Sequence, residues 1–232
     1  MTSRNSNPSP GSGSHPTKPR LGRPPREAAG ELRQRILDVA TELLFSHGYG
    51  ATSIEAIARR ARVSKRTFYQ RFPDKAALMS AVVVRLIDGL RPPAHVPLIE
   101  GEGLEQILVH LGSLILHAAL TPRVLQLQRL IVAESSRFPA LASAVARAGG
   151  RQEAVALISE LLMRHSRGAV ITPADAAFAA HQFLQMIVSL PQLRAIGLGA
   201  PMAPEELEAW VRGSVALFVD GYTGIAKRSS AA

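Results

Sequence analysis

An all-α fold in two parts, an N-terminal three-helix helix-turn-helix unit followed by a larger helical bundle, is what this 232-residue sequence predicts. Three observations carry it. Beyond residue 28, apolar residues recur at three- and four-residue spacing and no alternating run is long enough to read as a strand. Between Thr52 and Lys75, two short helical patterns flank a tight turn, and the second is strongly basic. Charge is also unevenly placed: residues 1–75 hold 14 Lys or Arg against 6 Asp or Glu, whereas residues 76–232 are close to balanced at net +1.

Residues 1–27 are rich in Ser, Pro and Gly with almost no large apolar side chains, the composition of a disordered basic arm. Within it KPRLGRPPRE (Lys18 to Glu27) resembles the Gly-Arg-Pro core of AT-hook minor-groove binders, with Arg23 as the residue to enter the groove. A solubilising tail is the alternative reading. From about 28 to 47, Leu32, Ile36, Val39, Ala40, Leu43 and Leu44 make one helical stripe, and Gly48 is placed to take left-handed geometry at its end.

In the 28–75 unit, Ile54, Ile57, Ala58 and Ala61 give the first short helix an apolar face, and Thr52 with Glu55 three residues on reads as a capping box. After the turn Ala61-Arg62-Val63, Ser64 caps a second helix of about seven residues, roughly 10 Å long. Thr67, Phe68 and Phe72 are expected to face inward, leaving Lys65, Arg66, Tyr69, Gln70 and Arg71 as a face of cations and hydrogen-bond donors. Such a helix fits a major groove and can hold phosphates while reading base edges. Thr52 and Ser53, Thr67, and Lys75 beyond Pro73-Asp74 complete the candidate DNA-contacting set, with Asp74 as cap of the next helix. The bland reading, an ordinary amphipathic helix pair with a solvated charged face, is disfavoured because the excess charge gathers on this unit.

Residues 76–232 read as the larger domain. Helices are expected at about 75–90, 104–120, 122–136, from Pro139 onward, 152–165, 173–197 and 204–225, with a loop from Pro92 to Gly103 and a break at Gly149-Gly150. Ala176 to Val188 is apolar nearly all round, which implies burial on more than one side. In the last helix Leu207, Trp210, Val211, Ser214, Leu217 and Phe218 form a stripe. With Leu184 and Val188 it packs either within one subunit or against a second copy. Convergent polar groups on apolar walls, as a small-molecule cavity needs, are offered by His110, His117, Gln128, Phe178, His181, Gln182 and Met186, each of which also suits core or surface.

The run from Ile36 through Leu78, with Phe45, Gly48, TSIEAIA, Val63-Ser64, Thr67-Phe68-Tyr69 and Phe72-Pro73-Asp74-Lys75, closely resembles the N-terminal domain of TetR-family transcriptional regulators. RLIVAESSRFPALA (Arg129 to Ala142) is similar to the regulatory domain of the AefR-like branch. The resemblance implies an all-helical homodimer, docked on a double-stranded operator of two half-sites and released by a small-molecule inducer. It favours the intermolecular use of the last two helices, since one short reading helix gives little specificity unless paired about one DNA turn away. Arg62 and Arg66 depart from the family, standing where members commonly carry glycine.

Other classes are disfavoured. There is no cysteine, hence no disulfide or thiolate metal site, with a lean to the cytosol. His110 and His117 lie roughly 10 Å apart along a helix, too far to share a metal with Glu134, so no metal or other cofactor is expected. No apolar leader opens the chain, and the uncharged run Gln106 to Pro122 is too short to span a membrane, which predicts a soluble cytoplasmic protein. Without a GxSxG elbow, phosphate-binding loop or cysteine nucleophile, an enzyme would rest on an unremarkable Glu134 or histidine, so no catalytic residue is assigned. A sequence-independent architectural DNA binder remains the nearer rival, although it needs no large near-neutral bundle.

Overall fold

The computed structural model describes residues 26–89, 95–139, 143, 150–165 and 171–229. Among these residues the chain forms nine helices and no strand: α1 (Arg26–Ala51), α2 (Ile54–Arg60), α3 (Lys65–Tyr69), α4 (Lys75–Asp88), α5 (Leu104–Ala119), α6 (Pro122–Glu134), α7 (Gly150–Arg164), α8 (Pro173–Ala195) and α9 (Pro204–Ser229). The arm with Arg23, the Pro92-Pro93 break and the body of the helix expected from Pro139 lie outside the described residues.

The helical stripe of α1 is a core face: Ile36, Leu37, Ala40, Leu43 and Leu44 are buried. They meet Ile57, Ala58 and Ala61 of α2, Phe68 of α3, and Leu78, Met79, Val82, Val83 and Leu86 of α4 in one apolar core. Leu127 and Leu130 of α6 are buried in this same core. A second core joins Ile107, Leu108, Leu111 and Leu116 of α5 to Ile158, Leu161 and Leu162 of α7, Phe183, Leu184 and Ile187 of α8, and Val211, Val215 and Phe218 of α9. In sequence α6 belongs to the C-terminal region, yet its buried leucines are shared with the N-terminal unit. No single helix among the described residues is long and apolar enough to cross a membrane.

The stripe of α9 is divided rather than turned to one partner. Val211, Ser214 and Phe218 are buried within the subunit, as is Leu184 of α8. Phe218 packs edge-on against Phe183 with ring centroids 5.2 Å apart, and Trp210 Nε1 donates to the carbonyls of Met186 and Ile187 at 3.0 and 3.1 Å. These four residues are therefore core, not an exposed dimer face. Leu217 is one helical step, about 100°, round from Phe218 and is 71% exposed. Leu207, Trp210 and Val188 are half-buried. Nor is α8 buried all round: Phe178, His181 and Gln182 face outward. Packing against α5, α7 and α9 consumes only one side of it, and apolar character alone did not distinguish that side.

Candidate nucleic-acid interface

The reading unit begins at the end of α1, where Gly48 takes φ 81, ψ 171 and breaks the helix. Ser53, one residue later than the sequence suggested, caps α2: its Oγ accepts the Ala56 amide at 3.1 Å. Thr52 is 3% exposed, and its hydroxyl donates to the carbonyls of Gly48 at 2.8 Å and Leu43 at 3.1 Å. The Thr52 side chain therefore fastens the α1–α2 turn and is turned inward, away from the surface where the sequence placed it. Proximity in sequence put both hydroxyls at the helix start; the backbone direction after Gly48 sends one inward.

Arg62 occupies the turn at φ 56, the left-handed region that favours glycine. The Arg62 and Val63 amides donate to the carbonyls of Arg59 and Ala58 at 3.1 and 2.9 Å, closing the turn. Ser64 then caps α3, accepting the Thr67 amide at 3.0 Å. The half-buried Thr67 hydroxyl lies 2.8 Å from Ser64 Oγ. Regular helix stops at Tyr69, shorter than expected, although the Arg71 and Phe72 amides still reach the Phe68 carbonyl at 2.9 and 3.0 Å. Phe68 is fully buried and Phe72 nearly so, and Arg33 of α1 lies over the Phe72 ring at 5.4 Å. With that face locked, Lys65, Arg66, Tyr69, Gln70 and Arg71 all point outward.

Two cations of the predicted set are engaged by the protein itself. Lys65 pairs with Glu55 of α2 at 2.8 Å. Their mutual hydrogen bond and charge hold the carboxyl below its usual range and the ammonium above its own. Lys75 Nζ donates to the Tyr49 carbonyl and sits 4.1 Å from the Tyr49 ring centroid. Burial pushes that lysine below its ordinary pKa, partly offset by Glu134. Asp74 caps α4 as expected, accepting the Ala77 amide at 2.7 Å.

The seven candidate ligand contacts do not converge on one cavity. His110 Nε2 lies 2.9 Å from the Pro97 carbonyl, and the exposed His117 bonds the Ser113 carbonyl in its own helix. Phe178, His181 and Gln182 are on the outer surface, while Gln128 and Met186 are half-buried on different helices. A cleft of about 600 Å³ does occur at the junction of α1, α4 and α6, lined by Phe45, Val82, Leu86, Arg85, Thr121 and Arg123 among others.

Comparison with known proteins places this geometry. Residues 36–82 match the family described as bacterial regulatory proteins of the tetR family, and residues 106–224 match the C-terminal domain of AefR-like transcriptional repressors. An uncharacterized HTH-type transcriptional regulator of Mycobacterium tuberculosis is 37% identical over 111 residues, 46% of this chain and 49% of that protein. The chain thus spans about half the length of the curated relatives it matches first. A solved TetR-family transcriptional regulator from Mesorhizobium loti superposes with a TM-score of 0.65 at 28% identity, covering 83% of this chain and 96% of that one. The flavonoid-responsive regulator FrrA superposes with a TM-score of 0.68, also at 28% identity, covering 83% and 97%.

Proposed function

This chain belongs to the tetR family of bacterial regulatory proteins, and from that premise we propose that it is a cytoplasmic homodimeric repressor that binds a two-half-site operator and is released by a small molecule. The observation that carries the DNA reading is α3, whose inner face is locked by Phe68 and Phe72 while Arg66, Tyr69, Gln70 and Arg71 are exposed beside Lys65, itself exposed but paired with Glu55. In this reading Arg66, Gln70 and Tyr69 approach base edges and neighbouring phosphates. Lys65, Arg71, Ser53 and Thr67 hold the backbone, and Lys75 contributes by positioning the turn. Dimerisation uses the outward side of α8 and α9, where Phe178 is 57% and Leu217 71% exposed.

Repression and release are supported by the AefR-like repressor match and by the flavonoid response named for FrrA. The junction cleft faces α4 and α6, so an occupant there has leverage on the reading unit. A ligand acts only through differential affinity for two arrangements, and a 100-fold loss of operator affinity needs about 2.7 kcal/mol of coupling.

The test is selection of bound fragments from genomic DNA, followed by affinity measurement on the selected site and on random DNA. A preference of about 10³ or more is expected. Equal affinity for both leaves an architectural DNA binder in its place. Adding a flavonoid as first probe to the operator complex tests release, and a true inducer that binds free and operator-bound protein equally tightly overturns the coupling.

A further inference from the structure

Glu134, the last residue of α6, reaches across the junction to the start of the reading unit. Its Oε1 accepts the Tyr49 amide at 2.9 Å and its Oε2 accepts the Gly50 amide at 2.8 Å, a two-pronged grip on backbone 84 and 85 residues away in sequence. The surroundings are shaped for that grip. Gly48 lies in a region of backbone space open essentially to glycine alone, and a Cβ there would sit 2.2 Å from Glu134 Oε1. Phe138, just past α6, packs edge-on against Tyr49 at 5.2 Å and closes over Gly50. Lys75, at the first position of α4, is held on the Tyr49 carbonyl and ring, its ammonium favoured by Glu134. One carboxylate therefore ties the end of α6 to the end of α1, and Lys75 at the start of α4 is fastened to the same Tyr49.

The same helix is fastened to the bundle on another side. Arg129 donates from Nη2 to the Ala195 carbonyl at 3.1 Å and from Nε to the Ile196 carbonyl at 3.4 Å, at the C-terminal end of α8. Five residues separate Arg129 from Glu134, about 140° round the helix and about 7.5 Å along it. Thus α6 presents one polar grip to α8, whose outward side is the proposed dimer face, and another to the α1 turn.

We propose that Glu134 is a positioning residue for operator binding: by holding the Tyr49 and Gly50 amides it fixes the reading unit against α6 and so sets the distance between the two recognition helices of the dimer. The role rests on the dimeric two-half-site reading above. The covalent path through α4 and the leucines Leu127 and Leu130 keep the unit attached without the carboxylate, but apolar packing is non-directional and leaves its tilt less defined. Fixed spacing is what a two-half-site operator reads.

Full-length Glu134→Ala and Glu134→Gln test this, with Glu160→Gln of α7, whose exposed carboxylate pairs with Arg164 one turn along its own helix, as control. Circular dichroism and ultracentrifugation establish that each variant is folded and assembled as the parent is. Amide exchange at Tyr49 and Gly50 is expected to accelerate by about tenfold or more in Glu134→Ala. Affinity for the selected operator should fall about tenfold, while affinity for a single half-site stays within about twofold. Across operators with one or two base pairs inserted between half-sites, the parent's sharp optimum should flatten. Glu134→Gln keeps one acceptor but turns a donor toward the other amide, so it should fall between. Unchanged operator affinity and spacing profile overturn the proposal, as does a parallel loss on operator and single half-site, which marks a merely structural role. If the parent gains nothing from a second half-site, the dimeric reading itself fails and this role falls with it, an outcome distinct from a variant that behaves like a spacing-selective parent.

Discussion

Arg62 holds a left-handed φ of 56 in a turn that glycine would occupy without strain. A side chain there costs about 1 kcal/mol. Arg62→Gly is accordingly expected to raise stability by about that amount in thermal or urea unfolding, while removing a cation beside the DNA-facing helix. Glu55 offers a second single-residue prediction, because its carboxylate ties up Lys65 on the face proposed to meet phosphates. Glu55→Gln should tighten binding to any DNA and steepen the salt dependence of log affinity by about 0.9 if Lys65 gains one phosphate. An unchanged slope would remove Lys65 from the interface. The pair also has a pH signature. Since the folded carboxyl is depressed, its stabilising contribution is present above the unfolded carboxylate pKa and is lost as pH falls through the depressed value. The contribution is small, because both partners are exposed.

At the scale of elements, α3 is five residues long, far too short to persist through its own hydrogen-bond ladder. Its shape comes from the Ser64 cap at one end and the buried pair Phe68 and Phe72 underneath. Ser64→Ala should cost about 1 kcal/mol and weaken operator binding at unchanged salt slope, since no cation is lost. Thr52→Val separates the neighbouring turn from DNA contact. Loss of the hydroxyl's bonds to Leu43 and Gly48 should lower stability by about 1 kcal/mol, with operator affinity unchanged once folded protein is matched. A selective affinity loss would return Thr52 to the interface.

For the whole molecule, the two adjacent residues Leu217 and Phe218 separate folding from assembly. Phe218 is packed on Phe183 inside the second core, so Phe218→Glu buries an unpaired carboxylate at a cost of several kcal/mol and should unfold the bundle. Leu217 is 71% exposed in one subunit, and Leu217→Glu should leave the monomer's helicity and melting intact. Light scattering is expected to show that variant as a monomer at concentrations where the parent is a dimer. A dimer that persists places the subunit contact elsewhere on the surface.

Read alone, the sequence determined the all-α class, the order of the described helices, the Ser64 and Asp74 caps, a positive φ at Gly48 and the outward face of α3. Each of these depends on neighbours within a few residues: capping geometry, helical periodicity and the inability of a bulky ring to remain in water. What only the tertiary structure decided were choices between near-equal alternatives. Thr52 and Ser53 are both good cap residues, and the turn at Gly48 turned one of them inward. Leu217 and Phe218 are both apolar, and the seating of α9 against α5 and α8 buried the second. The candidate ligand residues failed to converge because pocket membership depends on which helices meet, which spacing along one helix does not contain. Glu134 read as an ordinary helix-end acid, since its partners are backbone amides 84 and 85 residues away, and a backbone amide leaves no mark in the identity of the residue that carries it.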